Sequence, residues 1–319
     1  MPAITAASTP SGTPALTPAH APASASAPDA LRPVDVIVPP PRRHWVGDGF
    51  HVAGYFSAIP DAARRLDPFL MLDYHAPEVY PPSARPRGVG VHPHRGFETV
   101  TIAWEGSVAH HDSTGAGGVI GPGDVQWMTA ARGILHKEYH EAELARRGGT
   151  FHMAQLWVNL PRAHKLDAPR YQPLAAAQMG VATLPDDAGT VRVIAGAYGD
   201  ARGPAQTFSP INILDARVRA GGTLPLAFPA GHHTAVLVMA GEVIVNGGAR
   251  AGTDSFVLFA EAGGRIELAA TADAHLLVLD GAPLREPIVA YGPFVMSTPR
   301  EIMEAFADYE RGAFGHLDD

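Results

Sequence analysis

The chain contains no cysteine. A disulfide framework, a thiolate zinc site and an iron–sulfur cluster are thereby excluded. Charge is scarce as well: charged residues make up 18% of the chain, and 24 basic against 32 acidic side chains leave a formal net charge of −8. Such a balance lacks the basic surface that direct nucleic-acid or membrane-surface binding needs, so neither partner is expected. No stretch approaches the ~18 consecutive apolar residues of a spanning helix. The N-terminus shows no basic region followed by a compact apolar one, so it does not read as a secretory signal, and a cytoplasmic location is the expectation.

What is present is ample apolar material. Hydrophobic residues form 46% of 319, enough for a sizeable core and long enough for two domains. Residues 1–33 are the exception. They are almost entirely Ala, Pro, Ser and Thr without periodicity, and such a segment cannot bury enough surface to offset its ordering entropy. We expect a disordered tail there, with His20 no ligand. From Val34 the pattern changes to short apolar runs separated by Gly, Pro and Asp, as in the turns Gly121-Pro122-Gly123-Asp124 and Ala130-Ala131-Arg132-Gly133. Strands at intervals of roughly 8–12 residues with turn signals between them indicate an all-β sandwich or barrel.

The stretch from 92 to 138 organises the rest. It opens with His92-Pro93-His94 and closes with His136-Lys137-Glu138. Each pair is spaced i, i+2, so on a β-strand both side chains leave one face. Two such strands side by side bring three imidazoles and a carboxylate around one point, a donor set for a first-row transition metal. The acid has two candidates. Glu98 shares strand parity with 92 and 94, whereas Glu138 is paired with His136. His110, His111 and Asp112 do not make a second site on this reading, because adjacent histidines face opposite ways and Asp112 falls in a turn. Trp127 and Trp157 read as core, and Gln155 carries no assigned role.

HPHRGFETVT followed by GVIGPGDVQWMTAARGILHKE closely resembles the pirin family, a branch of the cupins. The resemblance extends to DPFLMLDYHAPE (67–78), QLWVNLP (155–161) and EPIVAYGPFVMSTPREI (286–302), and so frames nearly all of 34–319. It implies two tandem cupin (jelly-roll-like) β-barrel domains with a short C-terminal helix. The expected divisions are a metal-binding cupin domain at 34–172, a linker at 173–189, a degenerate cupin domain at 190–285 and a C-terminal segment at 286–319 packing back on the barrels. TVTIAWEGSV (99–108) can be laid over TAVLVMAGEV (234–243) as a weak internal repeat. The histidine pairs have no counterpart in that copy. His232-His233 are adjacent and His275 stands alone, so one metal site is expected, in the first domain.

Matched residue by residue, the pirin pattern carries the ligand set onto His92, His94, His136 and Glu138, and leaves Glu98 as a pocket acid or one behind the ligands. Iron, as Fe(II), is the metal the family implies. The resemblance also implies two kinds of activity. One is an iron-dependent dioxygenase of the quercetinase type, acting on a flavonol whose hydroxyl proton passes to a carboxylate, Glu138 or Glu98. The other is a redox-sensitive regulatory protein that acts through protein partners such as transcription factors or metabolic enzymes.

Overall fold

The computed structural model describes residues 30–318. The expectation for the tail therefore falls mostly outside the described residues, but its last residues are packed. Arg32 is fully buried, donating to the carbonyls of Pro229 and His232 and to the Thr234 hydroxyl.

Two barrels follow one another, each built from a seven-stranded and a four-stranded antiparallel sheet. In the first, Gly88–His94, Ile134–His140, Val108–Asp112 and Gly117–Ile120 form the small sheet in that order. The large sheet runs from Arg170–Leu174 through Val125–Thr129, Phe97–Glu105, Gly149–Asn159, Phe69–Tyr80 and Phe50–Gly54 to His44–Val46. The second barrel repeats the plan. Phe97–Glu105 lies between Val125–Thr129 and Gly149–Asn159, just as His233–Ala240 lies between Ser255–Phe259 and Ala274–Gly281. The aligned turn glycines, Gly106 and Gly241, both sit at positive φ, 78° and 81°. The repeat read from the sequence is thus a repeat of position in the fold.

The domain limits differ from those expected. Val34–Val38 is the edge strand of the second barrel's large sheet, paired with Ser255–Phe259. The expected linker contains Gly180–Thr183, the opposite edge of that same sheet. Composition near a strand does not say which sheet edge will accept it; the free edges of the second barrel do.

The two large sheets pack face to face. Their outer faces merge into one core containing Leu72, Val100, Trp127, Ala154 and Leu156 from one barrel and Ile213, Ala235, Leu237, Leu277 and Leu279 from the other. Phe97–Glu105 is consequently buried on both faces until its last residue. One face looks into its own barrel, the other into the second. The C-terminal segment forms the hairpin Val289–Tyr291 and Phe294–Met296, then the helix Pro299–Glu310. It packs on the first barrel, where Phe294, Ile302, Ala305 and Phe314 gather beside Leu135. No helix among the described residues is long and apolar enough to cross a membrane.

Candidate metal centre

Gly88–His94 and Ile134–His140 are paired antiparallel, with His92 directly opposite His136 and His94 opposite Ile134. The i, i+2 spacing then places His92, His94 and His136 on the barrel-interior face. Their ring centroids are 4.2 to 4.8 Å apart, and their candidate donor atoms lie within 4.8 Å of one another. Among the described residues this is the group able to hold a metal ion.

Each ring has its Nδ1 committed. His92 Nδ1 lies 2.8 Å from the Gly90 carbonyl, and His94 Nδ1 lies 3.3 Å from that of Pro293. A carbonyl only accepts, so both Nδ1 atoms carry a proton, and in the neutral ring Nε2 keeps a lone pair. The Gly90 carbonyl stands at a register shift, where Glu138 pairs with Val89 after His136 has paired with His92. His136 is fully buried and its Nε2 has no hydrogen-bond partner. A buried imidazole nitrogen left bare is costly unless something outside the chain fills it. Burial pushes His94 down to about 3, with His92 adding to the effect. Burial likewise holds His136 well below its ordinary range, with His94 and His92 next in weight. His94 and His136 are therefore neutral at neutral pH, the form a metal needs. The donor set fits a borderline divalent metal.

Glu138 shares the strand face of His136 and is held by three side chains. Thr101 Oγ1 donates to Oε1 at 3.0 Å, Gln126 Nε2 donates to the same oxygen, and Gln155 Nε2 donates to Oε2 at 2.6 Å. The group of converging donor atoms consists of His92, His94 and His136 and does not include the Glu138 carboxylate. Beside it lies a cavity of about 40 Å³ lined by His92, Glu138, Gln155 and the apolar Val46, Phe50 and Met153.

Glu98 is placed elsewhere. The chain turns at Gly96 (φ +90°) between His94 and Phe97 and enters the other sheet, so parity does not carry across. On Phe97–Glu105, Thr101 and Ala103 face the barrel interior, while Val100, Ile102 and Trp104 face the second barrel. Glu98 belongs to the latter set and accepts from Thr129 Oγ1 at 2.7 Å, which removes it from the pocket. Asp112, expected in a turn, ends the strand Val108–Asp112 and is buried. Trp157, expected in the core, shares the inward face of Gln155 and packs on His94 at 5.1 Å.

The sequence reading passed over Thr101, Gln126 and the role of Gln155. A signal was present, since each is a polar residue within a strand that is mostly buried. In the second barrel, Thr223–Ala227 and Arg265–Ala270 occupy the place of the two histidine strands. There Leu224, Leu226, Ile266 and Leu268 are buried in an apolar interior, so the copy is filled with side chains.

Comparison with known proteins agrees with this layout. The family profile described as Pirin matches residues 49–158, and that of the Pirin C-terminal cupin domain matches 213–315. The chain belongs to the pirin family. A Pseudomonas aeruginosa protein provisionally named quercetin 2,3-dioxygenase is 53% identical over 85% of this chain and 94% of its own. Human pirin is 35% identical over 79% of this chain and 83% of its own. The crystal structure of a quercetin 2,3-dioxygenase from Acinetobacter baumannii superposes with a TM-score of 0.86, at 46% identity, covering 91% of this chain and all of that one.

Proposed function

We propose that this pirin is a metal-dependent dioxygenase, with iron as its metal and a flavonol such as quercetin as its substrate. The observation that carries the reading is the convergence of His92, His94 and His136, whose candidate donor atoms lie within 4.8 Å of one another, next to a cavity that His92 and Glu138 both line. The names of the Pseudomonas and Acinetobacter relatives support the substrate class. Bound iron supplies a redox-active Lewis acid for oxidative ring cleavage. His92, His94 and His136 hold it, and Glu138 supplies the carboxylate. Two donors occupy Oε1 of Glu138 and one occupies Oε2, so one lone pair of Oε2 is free. In the resting protein that lone pair would be the one available to a bound metal. With a flavonol bound, it accepts the proton of the substrate hydroxyl. The apolar rim of Val46, Phe50 and Met153 suits an aromatic ring.

The test is anaerobic loading with Fe(II) followed by a quercetin turnover assay. His136→Ala is expected to lose the metal, and Glu138→Gln to lower turnover by ~10²–10⁴-fold. Loaded wild-type protein that leaves quercetin unchanged, where a known dioxygenase consumes it, rejects the enzyme reading.

One observation favours a second reading. The cavity of about 40 Å³ has room for a water or two, far below the ~300–1,000 Å³ of a site for a drug-sized ligand, so a flavonol requires the rim to open. A regulatory protein that signals the redox state of its metal to a protein partner needs no such opening. Binding of a specific partner in one oxidation state only, without flavonol turnover, selects this reading.

A further inference from the structure

His92 and His94 owe the placement of their protons to backbone carbonyls. His136 has no carbonyl there. Its Nδ1 faces Nδ1 of His110 at 3.5 Å, at the long end for such a bond, and Nε2 of His110 lies 3.3 Å from Oδ2 of Asp112. All three residues are buried, on adjacent paired strands, with His136 opposite Asp112 and Glu138 opposite His110. We propose that Asp112 and His110 are positioning residues that fix the proton of His136 on Nδ1, and so present its Nε2 bare to the metal.

Proton counting carries the inference. The other oxygen of Asp112 is taken up by Thr114, whose backbone N–H and hydroxyl donate at 2.8 and 2.6 Å, and by the Ala116 N–H at 3.3 Å. Burial would push this carboxyl up, but the bonds from His110 and Thr114 outweigh it and hold the group below its ordinary value. A carboxylate only accepts, so His110 Nε2 carries a proton and, in the neutral ring, Nδ1 carries a lone pair. Two lone pairs cannot face each other, so the proton between the rings belongs to His136 Nδ1. The Tyr171 ring, stacked on His110 at 5.0 Å with 14° between planes, keeps the imidazole plane in register. A ligand histidine whose other nitrogen donates to a carboxylate-backed acceptor is both oriented and made more basic.

This inference rests on the metal-site reading, and its test separates the two. Nitrogen-15 chemical shifts of His136 in the metal-free protein report which ring nitrogen is protonated. Ni(II) and Fe(II) competition titrations report affinity. The relay predicts a protonated Nδ1 in wild type, and a shift of the proton toward Nε2 in His110→Phe and Asp112→Asn. Both variants lose ~10–100-fold in metal affinity. His110→Gln, whose amide oxygen still accepts, retains the wild-type tautomer and affinity. A His136 tautomer unchanged in His110→Phe overturns the relay and leaves the metal site standing. Wild type that takes up neither metal overturns the metal site, and the nitrogen shifts still decide the relay.

Discussion

Glu98 lies between the barrels with 1% of its surface exposed, and burial pushes its carboxyl up to about 7 against the pull of the Thr129 hydroxyl. Between its ordinary value of 4.5 and about 7 the folded protein holds a proton that the unfolded chain has released. The folded state binds more protons in that window, so this group's contribution to stability falls as pH rises through it. Glu98→Gln, neutral at every pH, is expected to raise the melting temperature at pH 8 and change it little at pH 5. An equal change at both values would show that the carboxyl is already ionised in the folded protein. The same residue shows how a one-residue pattern misleads, because strand parity with His92 and His94 is broken at Gly96, where the chain changes sheets.

The C-terminal segment acts as a strap over the strands that carry His92, His94 and His136. Its helix starts at Thr298, whose hydroxyl accepts from the Glu301 N–H while Glu301 accepts from the Ser297 N–H, with Pro299 at the first turn. The strap reaches the site through backbone. A side chain on Gly96 would run into the Val295 carbonyl, and the two segments exchange bonds between Arg95 and the hairpin. Lys165 ties three pieces together. Its buried ammonium donates to the Gly96 carbonyl, to Asn159 Oδ1 and to the Val295 carbonyl, and burial lowers it to about 8. Lys165→Met leaves those acceptors unpaired, at an expected ~1–3 kcal/mol in denaturant unfolding. Because the strap carries the Pro293 carbonyl that holds His94, weaker metal binding is expected along with it. Full metal affinity in a destabilised Lys165→Met protein would show that His94 holds its orientation without the strap.

At the scale of the molecule, the face-to-face core makes the two barrels one unit. Around its rim Asp215 of the second barrel accepts from Trp104 Nε1 of the first at 3.0 Å, and also pairs with Arg192 and His275. Burial alone would raise this carboxyl, but the His275 bond and its neighbours hold it well below its ordinary value. Its stabilisation is therefore present at neutral pH and fades as pH falls below the unfolded value near 3.8. Asp215→Asn is expected to cost ~3–5 kcal/mol, the range for breaking a buried pair. Calorimetry should show one transition for wild type, with calorimetric and van't Hoff enthalpies equal. Two resolved transitions would show that the barrels unfold independently.

The strand alternation, the turn residues and the paired His-x-His and His-x-Glu spacings are local properties, and they were legible in the chain as written. They determined the all-β class, the internal repeat, the helix after Thr298 and the shared strand face of His92 with His94 and of His136 with Glu138. Pairing between distant segments is not local. Which barrel receives Val34–Val38, that Glu98 looks across the interface while Thr101 looks inward, and that His110 backs His136 were decided by sheet order and register. The physical reason is that a strand's period of two says which residues share a face. It does not say what that face will meet, and only the folded sheets supply the partner.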